Sequence, residues 1–495
     1  MVQSPYRGQC REMACLLARK SLALNWDLAR LVVGEAAVAA VIAGCSLTPA
    51  GTGEEQAKLA LAGAEYENTA ASRDLPDLPA RPTWRDLLLR AFLANGDLEK
   101  NYFDWKAALE RVGVASAYPN TNLALGYSYT FSRERMKSFD RMMFSAAFDS
   151  MENLSSPAKV AQAGKAALAE AKATGERFRA AKFDLQRRVL VAWADYALLA
   201  EKVGLAQDEL ALSGGARESA AARVRAGGPQ QDLLKAEVAY RLAHNALHGR
   251  EAALAAARAG LNGLLAREPG APLPPPDSPE SRPVPPDDAK LLALGVEKNP
   301  ELAELASRVQ GRADALELAR LQWLPDVNPS LAFTGGAAQA IAAAVVLPTT
   351  VGEIRGRIRE AEAELRSAEA ALRQLGRDRA SAFVAAVVAL RNAGREAALL
   401  ERQLLPLAEQ VVGVSKEAYV SGSASYLDLI ESQRTLLGVR LAAAEARASR
   451  EKRLAELEAL AGTDIESIAS AGGGAGGKDA SRDTPPPGLS EKERL

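Results

Sequence analysis

The sequence predicts a mainly α-helical protein with a small membrane β component, built from one pattern used twice along the chain. Three observations predict it. Ala, Leu, Arg and Glu dominate the 495 residues, aromatics are 5%, and Gly and Pro gather at a few breaks, which is the composition of long helices. Two stretches, ARVRAGGPQQDLLKAEVAYRL (222–242) and YVSGSASYLDLIESQRTLL (419–437), each run helix, small-residue break, acid, helix. Between the helical regions, LALGYSYTF (123–131) alternates strictly: Leu123, Leu125, Tyr127, Tyr129 and Phe131 take one face, and Ala124, Gly126, Ser128 and Thr130 the other. Charge excludes one class of partner. The 61 Lys+Arg nearly cancel the 62 Asp+Glu, so no basic field draws nucleic acid.

Residues 1–44 read as a signal peptide, with Arg19, Lys20 and Arg30 ahead of a run, 31–44, that is apolar apart from Glu35. Ile42-Ala43-Gly44-Cys45 resembles a bacterial lipobox, which makes Cys45 the lipidated first residue of the mature chain; a buried helix with a free Cys45 is the competing reading. The other thiols are Cys10 and Cys15, so there is no disulfide framework. Residues 45–82 form a small polar N-terminal segment on the periplasmic side. Residues 83–118 form an amphipathic short helix closed by Tyr118-Pro119-Asn120. Residues 119–150 form a hairpin, since Phe144, Ala146 and Phe148 resume the alternation after a polar tip.

The first long helical hairpin, 151–267, turns near 226–229 at Gly227-Gly228-Pro229. A Pro-rich linker, 268–297, follows, which no helix or sheet absorbs. The order then repeats. A short helix, 298–324, opens at Asn299-Pro300-Glu301-Leu302 and closes at Trp323-Leu324-Pro325-Asp326. A second strand pair, 325–348, is centred on 331–334 and 341–347. The second long hairpin, 349–462, turns near 420–423, and Ile358, Ala361, Leu365, Ala368, Leu372 and Leu375 keep coiled-coil spacing in its first arm. Residues 463–495 are a low-complexity tail of disordered composition.

Lengths and counts constrain the assembly. An arm of ~70 residues would span about 105 Å, so the arms pack lengthwise, each long helix beside two shorter ones set end to end. Two hairpins give about four strands, whereas a closed membrane barrel needs at least eight, so one chain cannot close a barrel. A dimer would supply about eight and a trimer about twelve; the trimer leaves an open lumen.

Together these features resemble the TolC family of outer-membrane channel proteins, in its lipoprotein branch, over almost all of residues 57–466. The residues that carry the resemblance are 299–302 with 323–326, Gln231-Asp232-Leu233-Leu234, and 419–437. The resemblance implies a long antiparallel α-helical barrel in the periplasm continuous with a transmembrane β-barrel shared by a homotrimer. It also implies a passive exit duct, joined by a periplasmic adaptor (membrane fusion) protein to an inner-membrane pump. By the same resemblance the two breaks are adaptor-docking tips, involving Gly227, Gly228, Ser421, Gly422 and Ser423. Asp428 and Glu431 become entrance acids, Tyr419 the tip tyrosine, and Tyr127, Tyr129 and Phe131 strand aromatics facing outer-membrane lipids. Ala424 stands where the best-known member has a basic residue tethering the closed state, so that tether does not carry over.

Blander readings stand beside these. Asp428, Glu431 and Asp232 also suit solvated acids of a coiled coil, and the aromatics suit a soluble core. His244 and His248, at i and i+4, suit a surface pair rather than a metal site. The sequence offers no catalytic constellation and calls for no cofactor, which argues against an enzyme. The competing function is a periplasmic coiled-coil adaptor or scaffold without a membrane barrel. An adaptor usually carries one helical hairpin flanked by β-domains; this chain shows two.

Overall fold

A computed structural model describes residues 47–69, 72–118, 121–129, 131, 142–150, 155–275, 282–334, 338–421 and 423–466. The predicted signal peptide, Cys45, Gly422 and most of the predicted tail lie outside the described residues. In chain order the elements are α1 Thr52–Gly63, α2 Trp84–Ala94, α3 Gly96–Ala115, β1 Thr121–Tyr129, β2 Met142–Ser150, α4 Pro157–Arg225, α5 Gln230–Leu264, α6 Asp288–Glu297, α7 Pro300–Leu321, β3 Asp326–Thr334, β4 Ala338–Val346, α8 Val351–Leu399, a π-helical turn Leu400–Leu404, α9 Leu405–Val420 and α10 Tyr426–Ala461. They divide between two compact units. One takes its described residues from within 47–61, 105–173 and 307–369, the other from within 62–104, 174–306 and 370–466. No helix among the described residues is long and apolar enough to cross a membrane.

The first unit holds one antiparallel sheet in the order β1-β2-β3-β4. Both strands of the second hairpin run nine residues, longer than the segments 331–334 and 341–347 expected from sequence. The sequence AQAIAAAVV signals β4 weakly, because the run Ala342-Ala343-Ala344 carries no alternation. Nine residues are enough to cross a bilayer on a tilt. Pairing brings Leu123, Phe148, Leu331 and Ile341 into one row across all four strands, and Ala124, Ala147, Ala332 and Ala340 into the next. The β2–β3 pairing reaches Phe148↔Leu331 and stops short of Pro329, which has no N–H to offer a ladder. β1 and β4 are the outer strands of this sheet, each with one edge left unpaired among the described residues. Tyr127 and Tyr129 are exposed on β1, and Phe131, just past its end, sets its ring edge-on to Tyr129 at 4.9 Å.

The structure corrects the sequence twice. Residues 83–118 are two helices rather than one, because Asn95 ends α2 and its Oδ1 accepts from the N–H groups of Asp97 and Leu98 to start α3. The Pro-rich linker is shorter than 268–297, because its last ten residues, Asp288–Glu297, form α6. That stretch, DAKLLALGVE, contains no proline, and Leu291 belongs to a core with Phe383, Val387, Leu390, Leu454, Leu457, Ala461 and Ile465. Asn299 then opens α7, accepting from the Leu302 N–H. Helix, asparagine, helix therefore occurs in both halves: α2-Asn95-α3 and α6-Asn299-α7.

The long hairpins close alike. Past α5, Ala266 sits in left-handed backbone at φ 49, and past α10, Gly462 does so at φ 62. Four residues before each lies a buried polar side chain holding the loop that follows. Asn262 donates to the carbonyls of Pro269 and Ala271. Glu458, 1% exposed, binds both Arg282 and the Ile465 N–H.

Arg282 fastens the far end of the linker. Its guanidinium lies 3.0 Å from Glu451 and 3.0 Å from Glu458, and stacks over the Trp84 ring, while Arg450 donates to the Arg282 carbonyl at 2.7 Å. Burial alone would lower the Arg282 pKa, but the two carboxylates outweigh it and hold the guanidinium charged. Burial pushes the Glu458 carboxyl up against the pull of Arg282, with Asp464 adding to the push. The direct charge-assisted contacts decide the state of the pair, which is ionised at neutral pH. At the linker's near end, Tyr196 donates to the Leu273 carbonyl at 2.6 Å.

Candidate functional site

Both helix-turn-helix tips belong to the second unit. At the first, the Gly228 N–H reaches back to the Arg223 carbonyl at 2.9 Å and the Gly227 N–H to Val224 at 3.0 Å, satisfying carbonyls left open at the end of α4. Gly227 has φ +92, which side chains resist. A Cβ on Gly228 would stand 2.9 Å from the Arg223 oxygen, so both glycines are demanded by the turn. Asp232 stands in the first turn of α5, whose N-cap, Pro229, makes no side-chain cap.

The second tip has the same backbone bond and different chemistry around it. The Ser423 N–H donates to the Ala418 carbonyl at 2.8 Å, spanning five residues as Gly228 to Arg223 does. The hydroxyls of Ser421 and Ser423 both donate to that carbonyl at 3.0 Å. α10 then starts with a capping box: Ser425 Oγ accepts from the Asp428 N–H at 3.2 Å, and Asp428 Oδ2 accepts from the Ser425 N–H at 2.9 Å. Hydrogen bonds from the side chain and backbone of Ser425 hold the Asp428 carboxyl below its ordinary value. Asp428 and Glu431 are both exposed one turn apart, while Leu429, Ile430 and Ser432 between and beside them are buried. The two acids share the solvent face of α10. Tyr419 is half-exposed, with its ring 5.7 Å from Tyr426 across the turn. The Tyr426 hydroxyl reaches to 3.2 Å of where a Cβ on Gly215 would stand, which seats the start of α10 on α4.

Sequence reasoning missed what holds α10 to α4. Arg447 donates to both oxygens of Glu201 at 2.7 and 2.9 Å and to Glu401 at 3.2 Å. Lys202 pairs with Glu445 at 2.7 Å, and Lys452 pairs with Asp195. Burial works to lower the Arg447 pKa, but Glu201 and then Glu401 hold it above its ordinary value. Glu401 sits in the π-helical turn, where the Leu405 N–H bonds the Leu400 carbonyl five residues back. Pro406 follows at once and has no N–H to continue an α-helical ladder, and it is the one signal of this turn visible in the sequence. His244 and His248 pack ring to ring at 4.6 Å on α5, with His248 3.3 Å from Glu251; no metal-binding cluster of three or more His, Cys, Asp or Glu occurs among the described residues.

No family model and no curated protein matches the sequence. Solved structures do match. A membrane protein from Pseudomonas aeruginosa is 20% identical, with a TM-score of 0.65 over 79% of this chain and 97% of that one. The outer membrane protein VceC from Vibrio cholerae is 19% identical, with a TM-score of 0.63 over 77% of this chain and 96% of that one. The open-state MtrE outer membrane channel of Neisseria gonorrhoeae is 18% identical, with a TM-score of 0.64 over 78% and 90%. The chain has the outer-membrane channel fold. It spans nearly the whole of each of these structures. The long helical hairpins and small antiparallel sheet expected from the sequence are the fold observed.

Proposed function

We propose that this chain is the outer-membrane exit duct of a tripartite export system, a passive conduit assembled from three copies. The observation that carries the proposal is the four-stranded sheet with two open edges in a chain of outer-membrane channel fold. Within a bilayer an unpaired strand edge is costly, so β1 and β4 must pair with strands of other copies, and three copies give a closed barrel of twelve strands. The periplasmic adaptor or scaffold reading has no use for a sheet of four nine-residue strands, each long enough to cross a bilayer on a tilt. In this reading the tips at 226–229 and 420–423 dock a periplasmic adaptor joined to an inner-membrane pump. Asp428 and Glu431, repeated by symmetry, ring the entrance, where mutual repulsion is eased by protonation or by cations. Lipidation at Cys45 anchors the mature chain.

The test is the mass of the detergent-extracted protein by light scattering after inner and outer membranes have been separated. An outer-membrane trimer is expected. A species soluble without detergent, or a monomer, would move the assignment to the periplasmic scaffold.

A further inference from the structure

At the foot of the β3–β4 hairpin, within the first unit, lies a cavity of about 120 Å³ whose charges come in both signs. Lys159, from the first turn of α4, is buried and donates to the Leu324 carbonyl and to Asp326, each at 2.8 Å. Arg357 and Glu353, on the first turns of α8, complete the charged lining and pair at 2.7 Å. An ammonium has three donors, of which Lys159 spends two, and a guanidinium has five, of which Arg357 spends one on Glu353. Each carboxylate has two acceptor oxygens, and these bonds occupy one on each. The cavity therefore retains cationic donors and anionic acceptors side by side, together with the Thr350 hydroxyl.

Its surroundings are as informative as its lining. Trp323, Leu324, Val346 and Leu347 are exposed at the same strand ends, where β3 begins and β4 finishes. Exposed aliphatic residues with a tryptophan at the end of a membrane strand mark the level of lipid headgroups. On the reading of β3 and β4 as membrane strands, the cavity lies at that level.

We propose that this cavity binds the headgroup of an ethanolamine phospholipid, its phosphate taken by Lys159 and Arg357 and its primary ammonium by Asp326 and Glu353. A zwitterion matches a lining of both signs, whereas an anionic headgroup would meet two carboxylates. A choline headgroup keeps the charge but has no N–H to donate.

The experiment incubates the full-length detergent-extracted protein with equal amounts of phosphatidylethanolamine, phosphatidylcholine and phosphatidylglycerol and measures retained lipid by native mass spectrometry. Phosphatidylethanolamine is expected to be retained preferentially. Arg357→Gln and Glu353→Gln should each lower that retention about tenfold, the loss of one charge-assisted hydrogen bond, with the mass of the assembly unchanged. These positions are chosen because Lys159 and Asp326 also hold the strand end in place. Equal retention of the three lipids, or retention untouched by both substitutions, would overturn the proposal. So would binding of soluble glycerophosphoethanolamine without binding of the lipid, since the site would then serve a free phosphoethanolamine compound. Failure of the channel reading shows separately, as a protein that stays soluble before any detergent or lipid is added.

Discussion

Replacing Arg282 by Met tests whether one buried ion cluster fastens the linker between the two halves. Met keeps much of the side chain's length and apolar stem while removing the charge. It leaves Glu458, 1% exposed, without its main partner, and Glu451 with Arg450. Breaking a buried pair from one side costs about 3–5 kcal/mol, because the remaining charge stays desolvated. At 1.4 kcal/mol per factor of ten, local opening of the linker should become roughly a hundred- to a few-thousand-fold more frequent. The assay is limited proteolysis of the detergent-solubilised protein, reading cleavage within 268–287 as a function of pH. The sign follows from Glu458: burial raises its pKa in the folded state, and loss of Arg282 raises it further. A folded-state pKa above the unfolded one means that the folded state binds more protons between the two, so acidification restores stability as pH falls through the folded value. The deficit of Arg282→Met should therefore be largest at neutral pH and shrink toward mildly acidic pH. Adding Glu458→Gln should remove most of the pH dependence. A deficit of equal size at all pH values, or a linker no more cleavable than in the parent, would refute the account.

Further substitutions follow from the same geometry. Gly227→Ala forces a side chain into φ +92 and should cost about 1–2 kcal/mol, read as roughly tenfold faster hydrogen exchange at the amides of residues 224–228. The two hairpin ends should respond with opposite signs in thermal unfolding. Ala266→Gly relieves left-handed backbone and should stabilise by about 1 kcal/mol, whereas Gly462→Ala would bring a Cβ to 2.5 Å from Pro300 Cδ and 2.9 Å from the Lys298 oxygen and should destabilise. Replacing both Asp428 and Glu431 by Ala should raise leakage through the reconstituted channel and reduce its preference for cations; unchanged conductance and selectivity would remove the entrance role. Ser425→Ala separates capping from gating, because it should loosen the first turn of α10 by about 1 kcal/mol while leaving both acids in place.

What the sequence made legible was governed by how local each determinant is. The long helices were readable because Ala, Leu, Arg and Glu favour helix position by position, and the turns because Gly227-Gly228-Pro229 and Ser421-Gly422-Ser423 interrupt that preference. The first hairpin was readable because Leu, Tyr and Phe alternate with small residues along β1. The extent of β4 was not, since the run Ala342-Ala343-Ala344 carries no alternation and its register is set by pairing with β3, with partners up to 20 residues away in sequence. α6 was obscured by prolines that stop just before it. The hold of Arg282 on Glu451 and Glu458 spans 169 and 176 residues, and nothing near Arg282 announces it. At the candidate entrance, the spacing of Asp428 and Glu431 predicted a shared face, and they share one. The spacing Ser425-x-x-Asp428 also spelled a capping box that went unread.

That capping box bears on how the entrance could work. A carboxylate bound to the Ser425 N–H is already committed to its helix, and its lowered pKa means that it stays charged to lower pH than an ordinary aspartate. Among the described residues Glu431 makes no such bond to the helix start, and its backbone carbonyl accepts from the Thr435 hydroxyl. In a ring of three copies, Asp428 keeps its charge as pH falls for as long as the cap is intact. Asp428→Asn should therefore change the response of the entrance to acid little and show itself mainly as fraying of the start of α10. A channel whose pH response vanished with Asp428→Asn, with the start of α10 still protected from exchange, would assign the sensing to the aspartate instead.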